Sequence, residues 1–260
     1  MKIADVIWQL IVAGILSYLF GNINSAVIIS KKFKHQDIRQ QGSKNPGTTN
    51  MLRVFGMKIG AITLICDVVK GIVPVLAAHF IFKAMGCAIL TYRFAMYFCA
   101  FCVTIGHVFP VFMKFRGGKG FATSVGVFLV LQPIPTLIIL TIGLVVLLIW
   151  DRMSVFALLY VTLELSYHAM YLILGFDEHA FMMHEVSVPI LIIVALIWCL
   201  VVYAHRGNIL RLIKGVENPS GLRKSLFKKK NKLNTSENGV DTEAEKEKED
   251  KEEIKEDTTQ

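Results

Sequence analysis

The chain has 260 residues, 54% of them hydrophobic, with mean hydropathy +0.54 and formal net charge +8. That composition excludes an ordinary soluble globule and predicts a polytopic membrane protein. Five cysteines lie in or beside apolar runs, and the Cys99–Cys102 pair has no second Cys or His pair at zinc spacing, so neither a disulfide framework nor a zinc site is expected.

A helical span needs about 20 mostly apolar residues. Residues 5–29 form the first candidate. The start carries only Lys2 before Asp5, and no small-residue cleavage site follows, so the segment reads as a span rather than a removable leader. Further candidates are 59–82, 94–113, 153–175 and 186–204. The stretch 121–150 is broken by Gln132, Pro133 and Pro135, which predicts two shorter helices at about 121–131 and 136–150.

Charge tests that split. The segment 30–58 carries Lys31, Lys32, Lys34, Arg39, Lys44, Arg53 and Lys58. The segment 114–119 carries Lys114, Arg116 and Lys119, and the one after 204 begins with Arg206, Arg211 and Lys214. The loop 177–185 holds Asp177, Glu178 and Glu185 and no cation. The positive-inside rule places the three basic segments in the cytoplasm. An even number of crossings between 119 and 204 then requires both helices of the split stretch. The expected fold is all-α with seven transmembrane helices, N-terminus outside and C-terminus cytoplasmic. Residues 1–219 form the membrane domain. Residues 220–260 form a charged tail, too poor in apolar side chains to order itself.

Three polar motifs fall on the predicted cytoplasmic face. Gly42–Arg53 reads GSKNPGTTNMLR, with hydroxyls, amides and a terminal arginine suited to phosphate and glycerol oxygens, although an ordinary Asn/Gly turn reads the same way. Gly106–Thr123 reads GHVFPVFMKFRGGKGFAT. Its glycines expose backbone N–H groups beside Lys119, Arg116 and Lys114, a cradle for phosphate at the lipid boundary. It is not a nucleotide-binding P-loop, because Met113 and Gly120 stand where Gly and Ser or Thr are required. His107 reads as a post fixing this loop in preference to a proton acceptor. His205–Glu217 reads HRGNILRLIKGVE, with His205 and Asn208 on one helical face and Arg211 and Lys214 as interfacial anchors. Asp67 and Lys70, three apart within a span, are expected to pair. Asp151 and Arg152 are expected in a short turn.

Taken together, the three motifs resemble the bacterial acyl-phosphate:glycerol-3-phosphate acyltransferase family, PlsY, over about residues 5–217. The resemblance implies acyl transfer from acyl phosphate to the 1-hydroxyl of sn-glycerol 3-phosphate, giving lysophosphatidic acid and phosphate. It implies a multi-pass bacterial plasma-membrane enzyme with a cytoplasmic site, no metal or cofactor, and a peripheral acyl-phosphate synthase (PlsX) as partner. Its catalytic residues fall on Lys119, Arg53 and Ser43. Its substrate-binding residues fall on Asn50, Gly117, Gly118, Gly120, Ser154, His205 and Asn208. Departures from the family pattern are Asn22, Asn24, Lys44 in place of a glycine, Thr48 in place of an alanine, and Ala157 where a second serine is usual. An organic-phosphate transporter and a non-catalytic scaffold for the synthase are the alternative readings.

Overall fold

The computed structural model describes residues 1–174 and 187–222, which are helical with no strand among them. The predicted acidic loop 177–185 and the tail beyond 222 lie outside the described residues. The compact membrane unit runs from Met1 to Ser220, whose last residue is itself fully buried.

Helices α1 (Ile7–Gly21) and α2 (Ser25–Lys34) form a single broken span rather than the continuous helix expected at 5–29. Asn24 causes the break. Its side-chain oxygen accepts from Val27 N at 3.0 Å to cap α2, and its amide donates to Pro46 O at 3.3 Å. Asparagine competes with helix continuation in this way wherever a cap and a second acceptor are both in reach. Then follow α3 (Thr48–Phe55), α4 (Met57–Ala84), α5 (Ile89–Val108), α6 (Phe121–Leu131), α7 (Pro133–Trp150) and α8 (Met153–Leu174). Beyond the undescribed residues come α9 (Val188–Ala204) and α10 (Arg206–Ile213). The expected interruption in 121–150 falls at Gln132, with Pro133 at the first position of α7, where a missing N–H leaves nothing unpaired.

Among the described residues, five stretches are long and apolar enough to cross a bilayer: Ile3–Lys34, Met57–Ala84, Ile89–Met113, Pro133–Trp150 and Met153–Leu174. The pair α9 and α10, bent by 60°, makes a sixth if counted as one. The 11-residue α6 rises only about 16 Å, against a hydrocarbon core of about 30 Å.

Glycines bring the helices into backbone contact. A Cβ on Gly71 of α4 would lie 2.2 Å from Thr123 O, and one on Gly126 of α6 would lie 2.0 Å from Val68 O. Gly21 and Gly106 play the same part where α1 crosses α5. Such close approach is how helices associate where lipid is as apolar as the side chains. The arrangement is polar inside and apolar outside. Asp67, Lys70 and His107 are buried, while Trp8, Ile65, Phe80 and Ile149 are exposed.

Candidate active site

Asn50 organises the first motif. Its side-chain oxygen accepts from Ser43 N at 2.9 Å, and its amide donates to Gln41 O at 2.9 Å and Ile38 O at 3.3 Å. This buried amide is occupied in folding the loop and holding Ser43 in place. The loop leads into α3, which carries Arg53 on its last turn.

The second motif is anchored from beneath. Lys70 of α4 donates to His107 Nδ1 at 2.8 Å, to Asp67 at 3.1 Å and to Ile23 O at 2.8 Å. The expected Asp67–Lys70 pair thus exists, and it steers His107. The His107 ring packs against Gly118, where a Cβ would lie 2.1 Å from Nε2. This geometry matches the reading of His107 as a post.

The glycine loop differs from the N–H cradle drawn from the sequence. Gly117 N donates to Val108 O and Gly118 N to His107 O, both at 3.1 Å. These donors are committed to the protein's own backbone. The glycines are needed because the chain passes so close: a Cβ on Gly117 would lie 2.0 Å from His107 O. Gly120 adopts φ +83 and turns the chain into α6. The first N–H groups of α6, at Phe121, Ala122 and Thr123, have no intrahelical acceptors, and Phe121 and Ala122 line the cleft described below. The donors available to an anion beside Lys119 are therefore those of the α6 N-terminus.

The third motif meets the second through Asn208. Lys119 Nζ donates to Asn208 Oδ1 at 2.5 Å, and Asn208 Nδ2 donates to Glu217 Oε1 at 2.6 Å. Ser154 Oγ donates to the same Glu217 oxygen at 3.0 Å, and Arg211 Nε donates to Oε2 at 2.8 Å. Ser154 sits in the first turn of α8. Arg211, expected to be a simple interfacial anchor, is instead an ion-pair partner of Glu217. The hub itself, Glu217, was not singled out from sequence. The available signal was an acidic residue closing a motif otherwise rich in cations.

Glu217 reaches its partners because Gly215, at φ +70, ends α10 and reverses the chain. The strap 215–220 then crosses to two other elements. Arg53 donates to Pro219 O from Nε at 3.0 Å and from Nη2 at 2.6 Å. Ser220 N donates to Asp151 O at 2.7 Å, and its hydroxyl to the Asp151 carboxylate. Asp151 lies in the turn between α7 and α8, as expected.

These elements enclose one cleft, partly open to solvent. Ser43, Arg53, Lys119, Ser154, His205 and Asn208 all line it, with Asp67 and Ala157 in its wall. Gly117 and Gly118 do not line it. Burial drives the Lys119 ammonium down to about 8; Glu217 opposes that shift, and Arg211 and Arg53 reinforce it. Burial also lowers Arg53. Burial raises Glu217, but hydrogen bonds from Asn208, Ser154 and Arg211 outweigh it and hold the carboxyl below its usual range. The cleft thus presents two cations of low solvation and a ring of hydroxyl and amide groups, a setting that favours anions and stabilises charge developing near them.

Residues 11–215 match the protein family described as glycerol-3-phosphate acyltransferase. A glycerol-3-phosphate acyltransferase of Clostridioides difficile is 36% identical over 219 residues, covering 84% of this chain and 98% of the relative. One from Finegoldia magna is 38% identical over 212 residues, covering 82% and 96%. Among solved structures, the glycerol 3-phosphate form of the integral membrane acyltransferase PlsY (YgiH) superposes with TM-score 0.69 at 28% identity, covering 84% of this chain and 99% of that one. Its lysophosphatidic acid form gives 0.66 at 30% identity, with the same coverage.

Proposed function

Since this chain belongs to the glycerol-3-phosphate acyltransferase family, we propose that it acylates the 1-hydroxyl of sn-glycerol 3-phosphate from an acyl phosphate donor. The products are lysophosphatidic acid and inorganic phosphate, feeding phospholipid synthesis. The observation that carries this reading is the meeting of Arg53 and Lys119, 66 positions apart in sequence, in one cleft.

Acyl phosphate is a mixed anhydride with a good leaving group, so positioning and charge stabilisation suffice. Arg53 takes the acceptor phosphate. Lys119, backed by the α6 N-terminus, takes the donor phosphate and stabilises charge as the carbonyl is attacked. Ser43 and Ser154 orient the reacting groups by hydrogen bonding. His205 and Asn208 hold Lys119 and its ligand in register. The donor's own phosphate accepts the hydroxyl proton, and the acyl–phosphate C–O bond breaks as the ester C–O bond forms. Fixing hydroxyl and carbonyl together is worth about 7 kcal/mol or more of barrier, and each donor to the developing oxyanion about 3 kcal/mol.

The same reading assigns seven crossings, with α6 and α7 as separate passes, the N-terminus outside and the cleft facing the cytoplasm. The one-sided cations of 30–58, 114–119 and 206–214 support this. The bilayer is a bacterial plasma membrane, and the donor reaches it from a peripheral acyl-phosphate synthase. Purified protein given palmitoyl phosphate and glycerol 3-phosphate should release phosphate and form a one-chain lipid, and palmitoyl-CoA should not replace the donor. Equal turnover from palmitoyl-CoA would reject the acyl phosphate assignment.

A further inference from the structure

Beside the cleft lies a second recess. Its walls come from the loop before α3 and the loop after α5, and they carry Arg39, Lys44, Lys114 and Arg116 with no acidic side chain. Arg39 is occupied by Asp37, which it contacts at 2.6 Å. Lys44, Lys114 and Arg116 form no ion pair with any described residue. Three uncompensated cations converging on one concavity make a site for an anion.

Two features narrow the anion's class. Phe112 and Met113 complete the wall, and they end the stretch Ile89–Met113 that is apolar enough to cross a bilayer. Phe112 is 77% exposed. The cations therefore stand at a membrane boundary with an apolar surface against them, which suits a charged head on a fatty chain better than a small soluble ion. Ser43 and Asn45 line both this recess and the catalytic cleft, so the two adjoin. Lys44 and Lys114 hold left-handed backbone, at φ 60 and 53, where glycine would be at ease.

We propose that this recess is a second phosphoanion site, a waiting site that takes the phosphate head of a single-chain acyl phosphate before it passes Ser43 and Asn45 into the cleft. The proposal rests on the acyl-transfer reading for the identity of its ligand. Lys44 and Lys114 supply part of its charge, and their effect is on donor capture, not on the chemical step.

The test compares full-length wild type with Lys44→Gly and with the Lys44→Gly/Lys114→Gln pair, both compatible with the local backbone. The binding probe is hexadecyl phosphate, which has no acyl group to transfer, with hexadecanol as control. The paired substitution should weaken hexadecyl phosphate binding about tenfold and raise KM for palmitoyl phosphate by a similar factor. It should leave kcat and KM for glycerol 3-phosphate within twofold. Unchanged binding and donor KM would overturn the proposal. So would a rise confined to KM for glycerol 3-phosphate, which would give the recess to the soluble acceptor. A wild-type protein that binds hexadecyl phosphate through Lys44 yet turns over no palmitoyl phosphate would support the site while removing the acyl-transfer reading.

Discussion

The guanidinium of Arg53 grips the carbonyl oxygen of Pro219 with two nitrogens, at 3.0 and 2.6 Å, across 166 positions of sequence. A residue proposed to bind substrate phosphate is thereby oriented by the strap that follows α10. The strap also carries Glu217 and Ser220, so it belongs to the site rather than to the tail. A chain ending at Leu222 should keep kcat within twofold of the full-length protein. A chain ending at Lys214 leaves Ser154, Asn208 and Arg211 without Glu217. Hydrogen bonds to a charged group are worth about 1.5–3 kcal/mol each, and the shorter chain should lose more than 100-fold in activity with a lower Tm. Equal rates from the two truncations would separate the strap from catalysis.

The role proposed for Lys119 needs its ammonium form, and burial lowers that group to about 8. Activity should be maximal below pH 8 and fall as pH rises through that value. Stability should slope the other way. The unfolded lysine keeps its proton to about 10.5, the folded one loses it near 8, and the unfolded state then holds more protons. The penalty for burying the charge is full below pH 8 and falls away as pH rises from 8 to 10.5. Lys119→Ala should lower kcat by about 10²–10³-fold, the range for losing one donor to a developing oxyanion. In Lys119→Arg the alkaline limb near pH 8 should vanish while the rate falls, since guanidinium keeps its charge. A limb that persists unmoved in the arginine variant would assign it to another group.

How much of this was legible beforehand depended on sequence distance. The interruption at Gln132 was readable because Pro133 and Pro135 act on their own neighbours. The Asp67–Lys70 pair was readable from its spacing of three. The convergence of the motifs on one cleft followed from the sidedness of their charges. Glu217 was not readable as a hub because Ser154 lies 63 positions away and Arg53 meets the strap only in the folded chain. The glycines of the second motif read as an N–H cradle for phosphate, but composition does not distinguish a backbone that must approach an anion from one that must approach another backbone. Their contacts with His107 and Val108 decide for the latter. The break in the first span escaped notice because Asn24 needs both Val27 and the distant Pro46 to hold it.

Glu217 is buried, with both oxygens engaged by Ser154, Asn208 and Arg211. Glu217→Gln should lower stability by about 2 kcal/mol, the value of hydrogen bonds to a charged acceptor in excess of neutral ones. It should also free Asn208 to rotate away from Lys119, so kcat should fall more than either KM. The wild-type carboxyl is held below its ordinary value of 4.5. Its contribution is complete above pH 4.5 and lost as pH falls through the lowered folded value. Thermal unfolding across pH 3 to 7 should show an acid-side loss in wild type that is smaller in the glutamine variant. Superimposable Tm profiles would show that the charge on Glu217 adds nothing to the fold.

Gly117 and Gly118 offer a graded test of the close-approach account. An alanine at 117 would place its Cβ 2.0 Å from His107 O, a backbone atom that cannot step aside. An alanine at 118 would meet the His107 ring at 2.1 Å, and that ring is held by Lys70 at 2.8 Å. Overpacking of this kind costs about 1–3 kcal/mol, and the rigid backbone contact belongs at the upper end. Gly117→Ala should therefore lower Tm more than Gly118→Ala. Relief should come to the second variant alone when His107 is cut back: Gly118→Ala/His107→Ala should recover Tm relative to Gly118→Ala measured against the His107→Ala background, whereas Gly117→Ala/His107→Ala should not. An N–H cradle for phosphate predicts a different pattern, in which both alanine variants keep Tm and lose only substrate affinity. That outcome, read from melting curves and KM together, would return the glycine N–H groups to the ligand.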